Sequence, residues 1–352
     1  MPNNRSADET DASESGGKRT LTLLRTFVPG QILEVTMRCF QSRFLLLPQE
    51  GLEAIFLGVL GKAQQLYNMK ICYFVALSNH VHLHLLPEDK DQLENFQRYL
   101  ACNLSREVGR SFQWSGGIFR HRYSSVPVTD EPEAEAERLG YLLAQGMKES
   151  ICPNPVDWLG PHAVKSLIRG EFTVLGGIWT DRTRECEEWR EYRRFRKAKT
   201  PRVRRKKPRR SDFKQPVVVE LTKIPSWSQL SDEQYAEAVR DMLEAKKKEH
   251  AEEIAKVPEH WRDRVLGLDP CSSPEKTARR PKPFCHAATR EARQAFKAQL
   301  KASINAFAEA SARFRQGVLE ALAEFPENFY PPRVLRVPDL PAVSLPPVPD
   351  TS

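Results

Sequence analysis

The chain has 352 residues, of which 40% are hydrophobic, and a formal net charge of +8 at pH 7. This composition is enough for a buried core, and the excess of Lys and Arg favours a polyanionic partner such as nucleic acid. No apolar run approaches the roughly 20 residues that cross a membrane, and the polar residues 1–17 lack the apolar core of a signal peptide. The seven cysteines include no Cys-x-x-Cys pair, so we expect reduced thiols in a cytoplasmic, nucleoid-associated protein.

After a polar tail at residues 1–18, which we expect to be disordered, the patterning predicts six elements in the first part of the chain. The strands are rich in apolar and β-branched residues, and the helices carry apolar side chains at helical spacing. In chain order the elements are a strand, a helix, two strands, a helix and a strand: 31–40, 48–67, 71–77, 80–86, 93–104 and 120–128.

Three histidines, His80, His82 and His84, alternate along the strand at 80–86. Side chains two residues apart in a strand point to the same face, so the three imidazoles share one face of the sheet. The intervening apolar residues share the other face and can pack on a core. This arrangement predicts imidazoles that are presented to a metal ion.

A helix is predicted to begin at residues 130–132, where acidic residues and Pro132 favour a helix start. Further along, Tyr141 and Gln145 are four residues apart and so lie on one face, about one turn from each other. Taken alone, the two residues are more simply interpreted as a partly exposed tyrosine and a surface glutamine.

Together these segments resemble the single-tyrosine HUH transposases, and most of all the REP-associated tyrosine transposases. The resemblance covers roughly residues 22–165. It rests on five segments in the order of that family: 79–83 (NHVHL), 117–119 (GIF), 120–130 (RHRYSSVPVTD), 141–145 (YLLAQ) and 157–160 (DWLG).

The resemblance implies an α+β fold, with a small antiparallel sheet and helices on one face, of the ferredoxin-like or RRM-like type. It also implies that Tyr141 attacks single-stranded DNA, at hairpin-forming repeats, and forms a 5′-phosphotyrosine intermediate that another 3′-hydroxyl can rejoin. A phenol ionises only near pH 10, so this chemistry needs help from a divalent ion. The implied ligands of Mg²⁺ or Mn²⁺ are His80, His82 and Gln145.

Two features depart from the family pattern. Many relatives have Asn-Pro where this chain has Gln145-Gly146, although Gln keeps the amide oxygen. His84 is additional, and His82 with His84 also fits the two-histidine motif formally. Tyr99 and Tyr123 are the alternative nucleophiles, but neither has a candidate metal ligand one helical turn away.

A basic segment at residues 190–210 carries thirteen Lys and Arg residues and one acid, Glu191. We expect it to be solvated, disordered in isolation, and able to bind DNA phosphates, with Tyr192 and Phe195 available to stack on bases. The predicted DNA-binding residues, two of them before the tyrosine helix, are Arg120, Arg122, Arg193, Arg194, Arg196, Arg204, Arg205, Lys206, Lys207, Arg209 and Arg210.

The C-terminal part is predicted to be mainly helical, with a capping box at 231–234, a helix to about residue 254, a long amphipathic helix at 287–325 and a Pro-rich tail. The amphipathic helix makes a homodimer a candidate. The spacing of Cys271, Cys285 and His286 is poor for zinc. The predicted regions are a tail (1–18), a catalytic domain (19–170), a basic DNA-contacting segment (171–215), a helical region (216–325) and a Pro-rich tail (326–352).

Two other functions remain as alternatives. A replication initiator or relaxase would share the HUH chemistry, but the single tyrosine and the flanking segments argue against it. A DNA-binding protein that lacks catalysis could retain the same scaffold. The retained pattern of His80, His82, Tyr141 and Gln145 favours an enzyme.

Overall fold

The computed structural model describes residues 26–120, 122–197, 206–275, 282–327 and 329. Within these residues, an antiparallel sheet of four strands carries the histidines. In chain order its elements are β1 (Leu33–Arg38), α1 (Leu52–Tyr67), β2 (Lys70–Leu77), β3 (His80–Leu86), α2 (Lys90–Ser111) and β4 (Ser124–Pro127). The strand order in space is β2-β3-β1-β4, which is the ferredoxin-like arrangement, so the predicted α+β fold class is confirmed.

The histidine strand has the two faces that its alternation predicts. Val81, Leu83 and Leu85 are fully buried. Leu83 pairs with Phe74 on β2, and the Phe74 ring contacts Phe56 of α1 at a centroid distance of 6.0 Å. Helix α1 therefore packs on the face opposite the histidines, and α2 packs beside α1.

The other described elements follow β4 along the chain. They are α3 (Pro132–Leu143), α4 (Val164–Leu167), β5 (Thr173–Thr180), α5 (Arg182–Lys197), β6 (Lys214–Glu220), α6 (Asp232–Glu249), α7 (Ala251–Ala255), α8 (Trp261–Leu266) and α9 (Arg290–Arg315).

Strands β5 and β6 form a two-stranded antiparallel ribbon that packs on α1. Two glycines on α1 permit this close approach: a Cβ at Gly58 would lie 2.2 Å from the Ile178 carbonyl carbon, and one at Gly61 would lie 2.3 Å from the Val218 oxygen. Helix α1 is thus covered by the sheet on one side and the ribbon on the other. The predicted boundary between residues 215 and 216 falls inside β6; the domain boundaries stay a prediction.

The first part of the basic segment, residues 190–197, belongs to helix α5, whereas the sequence predicts disorder only for the segment in isolation. Helix α5 starts with an N-cap bond, from Arg184 N–H to the Asp181 carboxylate at 3.0 Å. In its first turn Arg182 pairs with Glu185 and with Glu107 of α2. These contacts anchor the helix to the core and offset the repulsion among its arginines. Arg204 and Arg205 lie outside the described residues.

The C-terminal helices follow the predicted pattern, with two breaks, and the first is at His250, between α6 and α7. Ser231 and Gln234 form the predicted capping box, with reciprocal bonds of 3.2 and 2.9 Å. The predicted helix at 287–325 is shorter, because the chain leaves α9 through Gly317, whose φ of 92° is left-handed. The predicted tails, 1–18 and nearly all of 326–352, lie outside the described residues. In the part of the chain that is described, no helix has both the length and the apolarity to cross a membrane.

A buried histidine makes the fold sensitive to acid. His162 is 6% exposed, and burial, followed by the Lys165 charge, lowers its pKa to about 3. The unfolded chain binds a proton on this histidine near pH 6.5, so stability falls as the pH drops below that value. Between about pH 8 and about pH 5, the free energy of unfolding of His162→Gln, which keeps a side-chain N–H, should fall by about 2 kcal/mol less than that of the parent. Urea unfolding at both pH values checks this, and parallel losses in the two proteins would contradict it.

Candidate active site

His80 and His82 stand side by side on β3, with ring centroids 4.9 Å apart. The Nδ1 atom of His80 lies 2.6 Å from the Asn79 side-chain oxygen, and that of His82 lies 3.2 Å from Thr36 Oγ1. A hydrogen bond at Nδ1 fixes the ring and leaves Nε2 as the atom that can bind a metal. In both histidines Nε2 is therefore the candidate ligand atom.

The charge state of His80 also suits a ligand. Burial of the ring, and after it the electrostatic interactions with His82, Arg38 and Lys148, hold the pKa of His80 well below its usual value. A neutral imidazole is the form that binds metals, because the ligand nitrogen must carry a free electron pair.

A buried carboxylate on β1 connects the histidine strand to helix α3. Glu34 is 6% exposed, and it accepts two hydrogen bonds from Arg138 of α3, at 2.6 and 2.9 Å. Its other oxygen lies 3.7 Å from His82 Nδ1. Burial alone would raise the pKa of Glu34, but His82, His84 and Arg138 outweigh it and hold the pKa far below its usual range.

The same arginine contacts Tyr141. The guanidinium carbon of Arg138 lies 3.9 Å from the centre of the Tyr141 ring, and the Lys148 ammonium lies 3.2 Å from it. Tyr141 is 37% exposed, so the residue is accessible from solvent. The Glu34–Arg138 pair thus holds α3 across the histidine face and places the tyrosine ring between two cations.

Gln145 is 3% exposed and lies just beyond the last residue of α3. Its hydrogen-bonding network assigns the amide oxygen to face Lys148 Nζ at 2.5 Å and the amide nitrogen to face Glu149 Oε1 at 3.3 Å. The oxygen predicted to bind a metal therefore already contacts a cation. Lys148 also acts on His80 and on the Tyr141 ring, so it connects three of the four predicted residues, Gln145, His80 and Tyr141, electrostatically.

His84 lies beneath this site. It is fully buried, and neither ring nitrogen has a hydrogen-bond partner within the described structure. Its Nε2 is 3.8 Å from Glu34, and His286 approaches the same carboxylate oxygen to 3.5 Å. His286 reaches this position because its segment pairs with the chain at Val128, beside β4. His84 thus faces Glu34, away from solvent.

Sequence reasoning missed Glu34, Arg138, Lys148 and His286. The one available signal was Glu34, a charged residue in the middle of an apolar strand. No group of three or more His, Cys, Asp and Glu side chains in the described chain is arranged to hold a metal ion. The predicted ligand set is not a group of this kind, because it consists of two imidazoles and one amide.

The alternative tyrosines occupy other surroundings. The Tyr99 hydroxyl accepts a hydrogen bond from Trp179 Nε1 at 3.0 Å and joins α2 to the ribbon. Tyr123 precedes β4 and is half-buried.

The predicted DNA-binding residues that the structure describes are exposed. Arg120 and Arg122 lie before β4. The others are on α5 or between α5 and β6: Arg193, Arg194, Arg196, Lys206, Lys207, Arg209 and Arg210.

No protein-family description and no curated protein matches the chain. Among solved structures, the chain is similar to a REP-associated tyrosine transposase bound to a REP hairpin. The identity is 16%, the match covers 41% of this chain and 83% of that one, and the TM-score is 0.35. It is also similar to a transposase candidate from Deinococcus radiodurans R1. The identity is 16%, the match covers 34% of this chain and 95% of that one, and the TM-score is 0.25.

Proposed function

We propose that this protein is a metal-dependent transposase or endonuclease that cleaves and rejoins single-stranded DNA through Tyr141. The observation that carries the proposal is the Glu34–Arg138 pair, which brings an accessible tyrosine to the face on which two oriented imidazoles stand. The sequence resemblance supports the same chemistry independently.

In the proposed reaction, the Tyr141 oxygen bonds to the scissile phosphorus as the bond from phosphorus to the 3′-oxygen breaks. The phenol proton passes to solvent, and the departing 3′-oxygen takes up a proton. The products are a 5′-phosphotyrosine and a free 3′-hydroxyl. Because the phosphodiester energy is kept in the new bond, another 3′-hydroxyl can reverse the step without a nucleotide cofactor.

His80, His82 and Gln145 would hold the ion, Mg²⁺ or Mn²⁺. When bound, such an ion neutralises charge on the scissile phosphate and orients it for in-line attack. The residues fit this role, since both Nε2 atoms are left for a ligand bond and the Gln145 oxygen already attracts the Lys148 ammonium. Arg138 and Lys148 flank the Tyr141 ring and favour the negative charge that its oxygen acquires.

The test is formation of a covalent adduct. The full chain is incubated with 5′- and 3′-labelled single-stranded DNA that contains a hairpin, with Mn²⁺ or Mg²⁺, and analysed on a denaturing gel. We expect the 3′ label, which is on the fragment whose 5′-phosphate is bonded to Tyr141, to migrate with the protein. A chelator should abolish the adduct. Intact DNA binding without an adduct, with either metal and on several hairpins, would overturn the proposal.

Asn79 offers a test of the ligand orientation. Its side-chain oxygen is the partner of His80 Nδ1 at 2.6 Å, and loss of such a partner weakens a metal site by about 10–100-fold. We expect Asn79→Ala to lower Mn²⁺ affinity within that range, measured by electron paramagnetic resonance without DNA. Asn95→Ala, which removes a half-buried amide that accepts a hydrogen bond from Arg98 in the described part of the chain, is the control. Equal affinities in the two variants would speak against His80 as a ligand.

A further inference from the structure

A groove of about 650 Å³ lies between α2 and the loop that precedes β4. We call it the α2 groove. The side chains used below are Arg106, Arg110, Gln113, Trp114, Phe119 and Arg120, all of which line it.

The lining of the α2 groove is basic and contains no carboxylate. Arg106 and Arg120 are exposed, and within the described chain neither pairs with an acid. Arg110 contributes a third guanidinium, which bonds Glu107 outside the groove. A concave surface lined by one sign of charge concentrates ligands of the other sign, so the ligand should be an anion.

One end of the α2 groove reaches the histidine face. Arg38 is the cross-strand partner of His80, and on the other edge of β1 the Arg120 N–H donates to the Arg38 carbonyl at 3.0 Å. Side chains of cross-strand partners point to the same face. His80, Arg38 and Arg120 therefore form a row across the sheet, and the two exposed arginines lead from the candidate metal ligand into the groove.

The other end approaches the basic segment. Glu107 on α2 bonds Arg110 at 2.6 Å and Arg182, the first residue of α5, also at 2.6 Å. Arg210 lies 3.7 Å from the same carboxylate. The start of α5 and the end of the basic segment thus both meet α2 beside the groove, and guanidinium groups follow one another from His80 to α5.

We propose that the α2 groove binds the single-stranded DNA flank next to the bond that Tyr141 attacks. This proposal rests on the proposed function. The groove can take a few nucleotides but not a duplex. Trp114 and Phe119 are partly exposed aromatic residues that can stack on bases, and Gln113 supplies an exposed amide that can bond base edges. Arg106 and Arg120 contact the phosphates.

The test compares two labelled hairpins, one blunt and one with a short single-stranded flank on either side, by fluorescence anisotropy in chelator. Without divalent ions no cleavage is needed, so the result does not depend on the chemistry. We expect the double variant Arg106→Ala, Arg120→Ala to bind the flanked hairpin about tenfold or more weakly. The slope of the logarithm of its binding constant against the logarithm of the salt concentration should be smaller by about one unit. Binding of the blunt hairpin should change much less.

The matched control removes two other exposed arginines, Arg98 and Arg169, which lie outside the groove. The control should bind both hairpins as the parent does. An equal loss on both hairpins, or an equal loss in the control, would overturn the proposal. If the parent protein forms no adduct but the groove variant shows the selective loss, the α2 groove proposal stands and only the proposed cleavage chemistry is refuted.

A second readout locates the strand directly. Bromodeoxyuridine in the flank is photo-cross-linked to the parent protein, and the tryptic fragments are identified by mass spectrometry. We expect the cross-link in the peptide 111–120, which contains Trp114 and Phe119. A cross-link confined to the basic segment or to the C-terminal helices would contradict the proposal.

Discussion

Tyr141→Phe should abolish the covalent DNA adduct and reduce strand cleavage by at least about 10⁴-fold, the scale expected when a nucleophile is removed. The substitution deletes one oxygen and keeps the ring, so the cation contacts from Arg138 and Lys148 persist. The fold and DNA affinity should therefore be unchanged. Adduct formation on a denaturing gel, with binding measured in parallel, checks this.

Tyr123→Phe is the matched control, because Tyr123 is the other tyrosine that sequence reasoning left open near the start of β4. We expect it to keep the adduct. An adduct that survives in Tyr141→Phe and disappears in Tyr123→Phe would move the nucleophile to Tyr123. A mass-spectrometric map of the phosphotyrosine peptide would give the same answer without a variant.

Gly58→Ala should destabilise the protein by about 3 kcal/mol, although alanine is the better helix former by about 1 kcal/mol. The new methyl group would meet the backbone of Ile178 at 2.2 Å. Backbone atoms of a paired strand cannot move aside, so the ribbon must shift away from α1. Chemical denaturation of the two proteins measures the difference.

Gly140→Ala is the control, because it is the same substitution in another helix. Its methyl group would meet Lys246 Cε at 3.0 Å and Met242 Sδ at 3.1 Å, which are the ends of flexible side chains. We expect a change within about 0.5 kcal/mol. A Gly58→Ala protein as stable as the Gly140→Ala protein would show that the ribbon does not pack closely on α1.

The Gly58 experiment also tests where the predicted catalytic domain (19–170) ends. The resemblance to the transposases stops near residue 165, but α1 of that unit packs on β5, which begins at Thr173, and on β6. If the ribbon completes the core, a chain cut at residue 170 exposes the apolar side of α1 and should be less stable than the full chain.

Local periodicity was sufficient to predict much of the site. A spacing of two in a strand puts His80 and His82 on one face whatever surrounds them, and a spacing of four puts Tyr141 and Gln145 about one turn apart. The strand order β2-β3-β1-β4 follows from the order of the predicted elements once the family resemblance is accepted. The two spacings depend only on residues close together in the chain; the strand order, which pairs Leu33 with Pro127, does not.

What only the tertiary structure decided depends on residues far apart. Glu34 and Arg138 are separated by 104 positions, and no periodicity links them, yet their ion pair places the tyrosine on the histidine face. His286 reaches Glu34 from outside the segment of resemblance, and His84 is oriented toward that carboxylate. Helix α5, which carries the first part of the basic segment, likewise depends on Glu107 of α2, because charge density alone favours a solvated chain. Sequence patterns specify which residues share a face; packing between distant segments specifies which faces meet.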